Sequence, residues 1–81
     1  MKIKLLKNEI TKYLKIHQLE KKFQKAKELM EQDINHPSLN VELLEPKQLK
    51  IYSFRLDKKY RAIFIVTDGG IEIVTVTNHY Q

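Results

Sequence analysis

Apolar and polar residues alternate at the start of the chain, with Met1, Ile3 and Leu5 on one side and Lys2 and Lys4 on the other. That is the period of a half-buried strand, so residues 1–6 are predicted to be extended. The period then lengthens. Ile10, Tyr13, Leu14 and His17 follow at helical spacing, and Leu19, Phe23, Ala26 and Met30 carry the stripe on, with Leu29 beside it. Asn8 is placed to cap the first turn. The pattern predicts two helices, or one broken near His17-Gln18, and it ends around Ile34. Asn35-His36-Pro37-Ser38 breaks it, because a residue before proline is pushed out of helical geometry.

Val41, Leu43 and Leu44 make a short extended piece closed by Pro46. Three strand-like runs follow. Leu49 to Leu56 is the first, with Asp57-Lys58-Lys59 as its turn. Tyr60 to Thr67 is the second, rich in β-branched and aromatic residues. Asp68-Gly69-Gly70 signals a hairpin, since glycine supplies the positive φ a tight turn demands. Ile71 to Thr77 is the third. The order predicts an α+β fold: an N-terminal strand, a two-helix hairpin, then an antiparallel β-meander. The result is a four-stranded sheet with the helices on one face and the first strand paired into it. At 81 residues the chain makes one domain, 1–81, with one modest core.

Charge adds a partner to this outline. The net charge is +5 and the pI about 9.5, and the charges are segregated. Residues 7–27 hold seven lysines and two acids, residues 28–46 hold five acids and no Lys or Arg, and residues 47–61 hold six basic groups against Asp57. A solvated helix face accounts for the first cluster. The second falls on predicted strands and includes both arginines, which points to a polyanion. Cysteine is absent, which excludes disulfides and thiolate chemistry. No apolar run approaches the roughly 20 residues that span a bilayer. The alternating N-terminal lysines do not build a signal peptide, and a cytoplasmic location is expected.

Standard catalytic motifs are missing. There is no glycine-rich phosphate loop and no zinc-protease motif, and Ser38 and Ser53 lie in no nucleophile elbow. His17, His36 and His79 have no metal-ligand spacing, so neither a metal nor another cofactor is expected. The arginines are the candidates that remain. Alternation along a strand puts Ser53 and Arg55 on one face. It puts Arg61 with Ile63 and Ile65, which read as core residues. Arg61 then either closes the edge of a groove or caps the sheet and pairs with an acid such as Glu72.

Four segments together narrow the choice. They are His36-Pro37-Ser38-Leu39-Asn40, Ile51-Tyr52-Ser53-Phe54-Arg55-Leu56, Tyr60-Arg61-Ala62-Ile63-Phe64 and Val76-Thr77-Asn78-His79. In order and spacing they resemble the RelE/ParE superfamily of toxin–antitoxin toxins, most nearly its YafQ-like branch, over essentially the whole chain. The resemblance implies a ribosome-dependent mRNA endoribonuclease with a cognate antitoxin and mRNA on the ribosome as partners. It implies that Arg61 holds the scissile phosphate, that Arg55 shares that role and that His79 transfers a proton. A free imidazole titrates near pH 6.5, roughly where such a task needs it. Lys50, Lys58 and Lys59 would contact the RNA backbone, and Tyr80 would stack on a base. The family often carries a second histidine after the His-Pro-Ser-Leu loop, and Glu42 stands there instead. Two other roles fit the same resemblance: a ParE-like inhibitor of DNA gyrase without catalysis, and an inactive member that binds only RNA or antitoxin.

Overall fold

A computed structural model of the chain describes residues 1–79. The helical stripe forms two helices, α1 (Asn8–Ile16) and α2 (Glu20–Gln32). Asn8 is the first residue inside α1 rather than its cap. Extended Lys7 precedes it, and the Lys7 carbonyl accepts the N–H groups of Ile10 and Thr11 at 3.1 Å each. The break falls where the pattern places it. Gln18 takes a left-handed backbone (φ 56°), and Leu19, 1% exposed, anchors the corner in the core.

A 3₁₀ turn (Pro37–Leu39) follows the proline break, and Asn40 leaves it in left-handed geometry, which asparagine tolerates well. Four strands come next: β1 (Glu42–Leu43), β2 (Tyr52–Arg55), β3 (Arg61–Thr67) and β4 (Gly70–Thr77). They form one antiparallel sheet in the order β1-β2-β3-β4. The first run of the meander is shorter than its apolar pattern. Lys47–Leu49 is a second 3₁₀ turn, and Lys50 is left-handed (φ 55°), so pairing to β3 starts only at Tyr52.

The sheet has four strands as expected, but the fourth is β1 and not the N-terminal segment. Residues 2–4 join β4 by a single parallel bridge, Ile3 to Ile71. Lys4 N–H donates to the Ile71 carbonyl at 2.8 Å, and Ile71 N–H donates to the Lys2 carbonyl at 2.9 Å. Ile3 N–H turns the other way, to the Glu31 carboxylate of α2 at 2.9 Å. Past Lys4 the chain leaves for α1, and Leu5 is fully exposed. The positive φ expected of the hairpin lies at Gly70 (129°), the first residue of β4, and not within the Asp68-Gly69 turn. A side chain at Gly70 would run into the Lys2 carbonyl.

The helices cover one face of the sheet. Tyr52, Phe54, Ala62 and Phe64 point toward them, with ring centroids 5.7 Å apart for Phe54–Phe64 and 6.4 Å for Phe23–Phe54. Each fully buried ring or aliphatic side chain contributes about 1.5–3 kcal/mol. Ile63 and Ile65 are not in this core; both are only half-buried on the other face. In a run where every residue from Ala62 to Val66 is apolar, composition does not say which set faces in. The register does, by placing Ala62 and Phe64 against Phe54 and Tyr52. Between β3 and β4 the register slips: Ile63 pairs with Thr75 and Phe64 with Ile73, so Val74 is an extra residue in a β-bulge. Among the described residues, no helix is long and apolar enough to cross a membrane.

Candidate functional site

The face of the sheet away from the helices carries the polar residues. Glu42, Ser53, Ile63 and Thr75 form one row across the four strands, and Arg55, Arg61 and Thr77 form the next. Arg61 is held on several sides. Its Nε donates to the Ser53 hydroxyl at 2.9 Å, and its NH2 nitrogen donates to the Asn40 carbonyl. The same nitrogen lies 3.9 Å from the Glu42 carboxylate, and the Arg61 side chain is only 12% exposed. Ser53 is completely buried beneath it. The guanidinium is therefore oriented before any ligand arrives, which lowers the entropic cost of using it.

Arg55 sits directly opposite Arg61 across the β2–β3 ladder and is exposed. Like charges facing each other across a strand pair are unfavourable, and a bound anion would relieve the repulsion. Glu72, the acid the sequence offers Arg61, lies opposite Ile65 and faces Lys7 at 3.9 Å. Arg61 pairs instead with Glu42, which precedes it by nineteen residues and reaches it through β1.

Lys58 and Lys59 lie exposed in the β2–β3 turn at this end of the sheet. Asp57 builds that turn. Its Oδ1 accepts the N–H of Lys59 at 2.8 Å and of Tyr60 at 2.7 Å, while Oδ2 accepts Lys22 Nζ of α2 at 2.7 Å. Burial works against the ionised carboxylate, but the Lys22 hydrogen bond, the two N–H groups and the Lys22 charge outweigh it and hold Asp57 below its ordinary pKa. His79 lies exposed two residues beyond Thr77, the partner of Arg61, and its N–H donates to the Thr77 hydroxyl at 3.0 Å. Arg55, Arg61, Lys58, Lys59 and His79 thus gather at one end of the sheet. Lys50 does not join them, because it precedes β2 at the opposite end from Arg55. Tyr80 lies outside the described residues. Among those residues, no three His, Asp or Glu side chains gather closely enough to hold a metal ion.

Two features escape the sequence pattern. One is the place of Glu42: the two-residue strand β1 brings its carboxylate to 3.9 Å from Arg61. The second is an aromatic group between α1 and the β2–β3 turn. The rings of Tyr13 and His17, one helical turn apart, meet at a tilt of 38° with centroids 4.1 Å apart, and Tyr60 lies 5.5 Å from His17. The Tyr60 hydroxyl and His17 Nδ1 are 3.2 Å apart. Burial, and then the neighbouring Tyr60, push the Tyr13 phenol above its usual pKa, so it stays neutral.

No protein-family profile and no curated protein matches the chain. Solved structures do. The chain is similar to the structure titled "YoeB-YefM complex from Staphylococcus aureus", at 20% identity over 99% of this chain and 98% of that one, with a TM-score of 0.72. It is similar to a "YoeB/ParE toxin from Agrobacterium tumefaciens" at 15% identity over 99% and 100%, with a TM-score of 0.72. A structure of a YoeB dimer from Staphylococcus aureus follows at 21% identity over 98% and 94%, with a TM-score of 0.66. At these identities the likeness establishes the fold.

Proposed function

We propose that residues 1–81 form one toxin domain of a toxin–antitoxin pair, and that it cleaves mRNA on the ribosome without a metal ion. The observation that carries this reading is the oriented Arg61 beside the Glu42 carboxylate on the open face of the sheet, with Arg55 directly across from it. Cleavage by a 2′-hydroxyl needs a base at that hydroxyl, cations at the crowded phosphate and an acid at the leaving oxygen. Glu42 takes the proton from the 2′-oxygen, which attacks the adjacent phosphorus. Arg61 and Arg55 stabilise the charge that gathers on the phosphoryl oxygens. His79 gives its proton to the departing 5′-oxygen. The products are a 2′,3′-cyclic phosphate and a free 5′-hydroxyl.

An acidic antitoxin segment that folds over the basic sheet end is the proposed protein partner. Two similar structures are complexes of YoeB with YefM, which supports such a pairing. The His36-Pro37-Ser38-Leu39 loop supports a YafQ-like relationship within the superfamily. A ribosomal target places the protein in the cytoplasm.

Inducible expression with pulse labelling of protein and DNA synthesis tests this reading. Rapid loss of translation is expected, with cleaved mRNA carrying cyclic phosphate ends. Loss of replication with DNA breakage would mean a gyrase poison, and normal growth would mean an inactive member. Arg61→Ala is expected to slow cleavage by about 10²–10³. His79→Ala and Glu42→Gln are each expected to slow it by roughly 10²–10⁴ while RNA stays bound. A folded His79→Ala protein as toxic as the parent would remove His79 from the mechanism.

A further inference from the structure

A substrate strand bound at Arg61 has somewhere to continue. Side chains alternate along β3, so Tyr60 and Arg61, consecutive in sequence, face opposite sides of the sheet end. Arg61 faces the open side. Tyr60 faces α1, where it meets Tyr13 at 6.2 Å, edge to face, and His17 at 5.5 Å. The turn that carries Lys58 and Lys59 is the corner between the two sides.

The aromatic group has the properties of a platform. Its rings fix one another through the tilted Tyr13–His17 contact, the Tyr13–Tyr60 edge contact and the Tyr60–His17 hydrogen bond. Tyr13 and Tyr60 pack against the core, whereas His17 is exposed. Rings already held in place lose little freedom when a ligand stacks on them. The surroundings are cationic. Lys59 Nζ lies 5.7 Å from the Tyr60 ring centroid. In the chain, Lys12 and Lys15 precede the corner at Gln18 and Lys21 follows it, and Glu20 is the only acid between residues 10 and 27. Asp57, the acid of the turn, is already engaged by Lys22. An aromatic group with one exposed ring, His17, beside cationic side chains matches a base and its phosphate, the combination that single-stranded nucleic acid offers.

We infer that Tyr13, His17 and Tyr60 form a stacking subsite for a nucleotide flanking the one held at Arg61, with Lys58 and Lys59 contacting the phosphates between them. The inference rests on the RNA-cleaving reading for the identity of the strand, and on the ring geometry for the site itself.

The test is a single-stranded RNA of about 12 nucleotides, 2′-O-methylated throughout so that it is not cleaved, with 2-aminopurine moved through it one position at a time. With the parent protein, one or two adjacent positions should lose fluorescence on binding, the signature of a stacked base. His17→Ala and Tyr60→Leu should abolish that quench and weaken binding about five- to a hundredfold. His17→Phe should restore both, which separates stacking from an effect on the helix end. Arg61→Ala, at saturating protein, should keep the quench. RNA that binds with no quenched position, or a folded His17→Ala protein that binds like the parent, overturns the subsite, and so does RNA that fails to bind. Loss of antitoxin binding in these variants with RNA binding unchanged overturns it in favour of a protein contact. A quench without any arrest of translation leaves the subsite standing and removes the cleavage reading instead.

Discussion

Arg61 is legible in the sequence as an unusual residue, but its surroundings are not. Strand alternation puts it on the face of Ile63 and Ile65, which is correct. It does not reveal that this is the open face, because the partners that decide the matter lie on β1 and β2. Ser53 is buried beneath Arg61 only because it stands opposite Ile63, and Glu42 reaches Arg61 only through a strand of two residues. Asp57 carries a prediction at the same scale. Its folded pKa is lowered, so its contribution to stability is fully present above the unfolded value near pH 4 and is lost as pH falls through the lower folded value. Asp57→Asn should lower stability at neutral pH and flatten its dependence on pH below about 4. Urea denaturation at several pH values measures this, and parallel curves for the two proteins would show that Asp57 carries no such linkage.

The elements were legible in proportion to their length. Both helices and the two long strands of the meander announce themselves by repeated spacing. The N-terminal segment shows a strand's alternation, yet only Ile3 is bridged, since a few alternating residues do not specify a ladder. Its attachment depends on Gly70, which combines positive φ with close approach to the Lys2 backbone. Gly70→Ala is expected to cost about 1–3 kcal/mol, from strain and from the lost bridge. At roughly 4–8 °C per kcal/mol for a domain of this size, the fall in Tm is easily measured. Gly69→Ala is the control, because a side chain there meets only the flexible end of Lys4. Equal melting of the two variants would sever the link between Gly70 and the N-terminal segment.

Across the whole molecule, charge and fold were readable from the sequence and the distribution of function was not. The pI of about 9.5 announces a basic protein, but it does not show that Lys50 lies away from the arginines while Lys58 and Lys59 lie beside them. Binding of single-stranded RNA should weaken with salt at a log–log slope of about −0.7 per phosphate contact. Roughly three to five contacts are expected, from Arg55, Arg61, Lys58, Lys59 and the helical lysines. Lys58→Ala with Lys59→Ala should flatten the slope by about 1.4, whereas Lys50→Ala should leave it unchanged. A Lys50→Ala slope that falls as far as that of the turn variants would redraw the basic face.

The β-bulge can also be regarded as a correction of phase. Before it, the odd-numbered residues Ile71 and Ile73 face the helices; after it, Val76 does, and Thr77 lies on the side of Arg61. An uninterrupted strand of this length would send Val76 outward and Thr77 into the core. One residue absorbs the mismatch, and that residue is Val74, exposed and outside the pairing. The phase of Val76 and Thr77 therefore depends on how many residues stand at the bulge and not on which of Ile73, Val74 and Thr75 is missing. Removing Val74 should leave a regular ladder in which Val76 stays buried and Thr77 still faces Arg61. Removing Thr75 alone should be rescued in the same way, with Val74 moving into its place. Losing Ile73 is repaired likewise, since Val74 then falls opposite Phe64, but a valine fills the isoleucine's core position and should cost about 0.5–1.5 kcal/mol. Amide exchange across β4 in the three deletion variants should show the ladder's protection retained in each and weakest in the third; loss of protection beyond the bulge in the Val74 deletion would mean that Val74 is not what absorbs the mismatch.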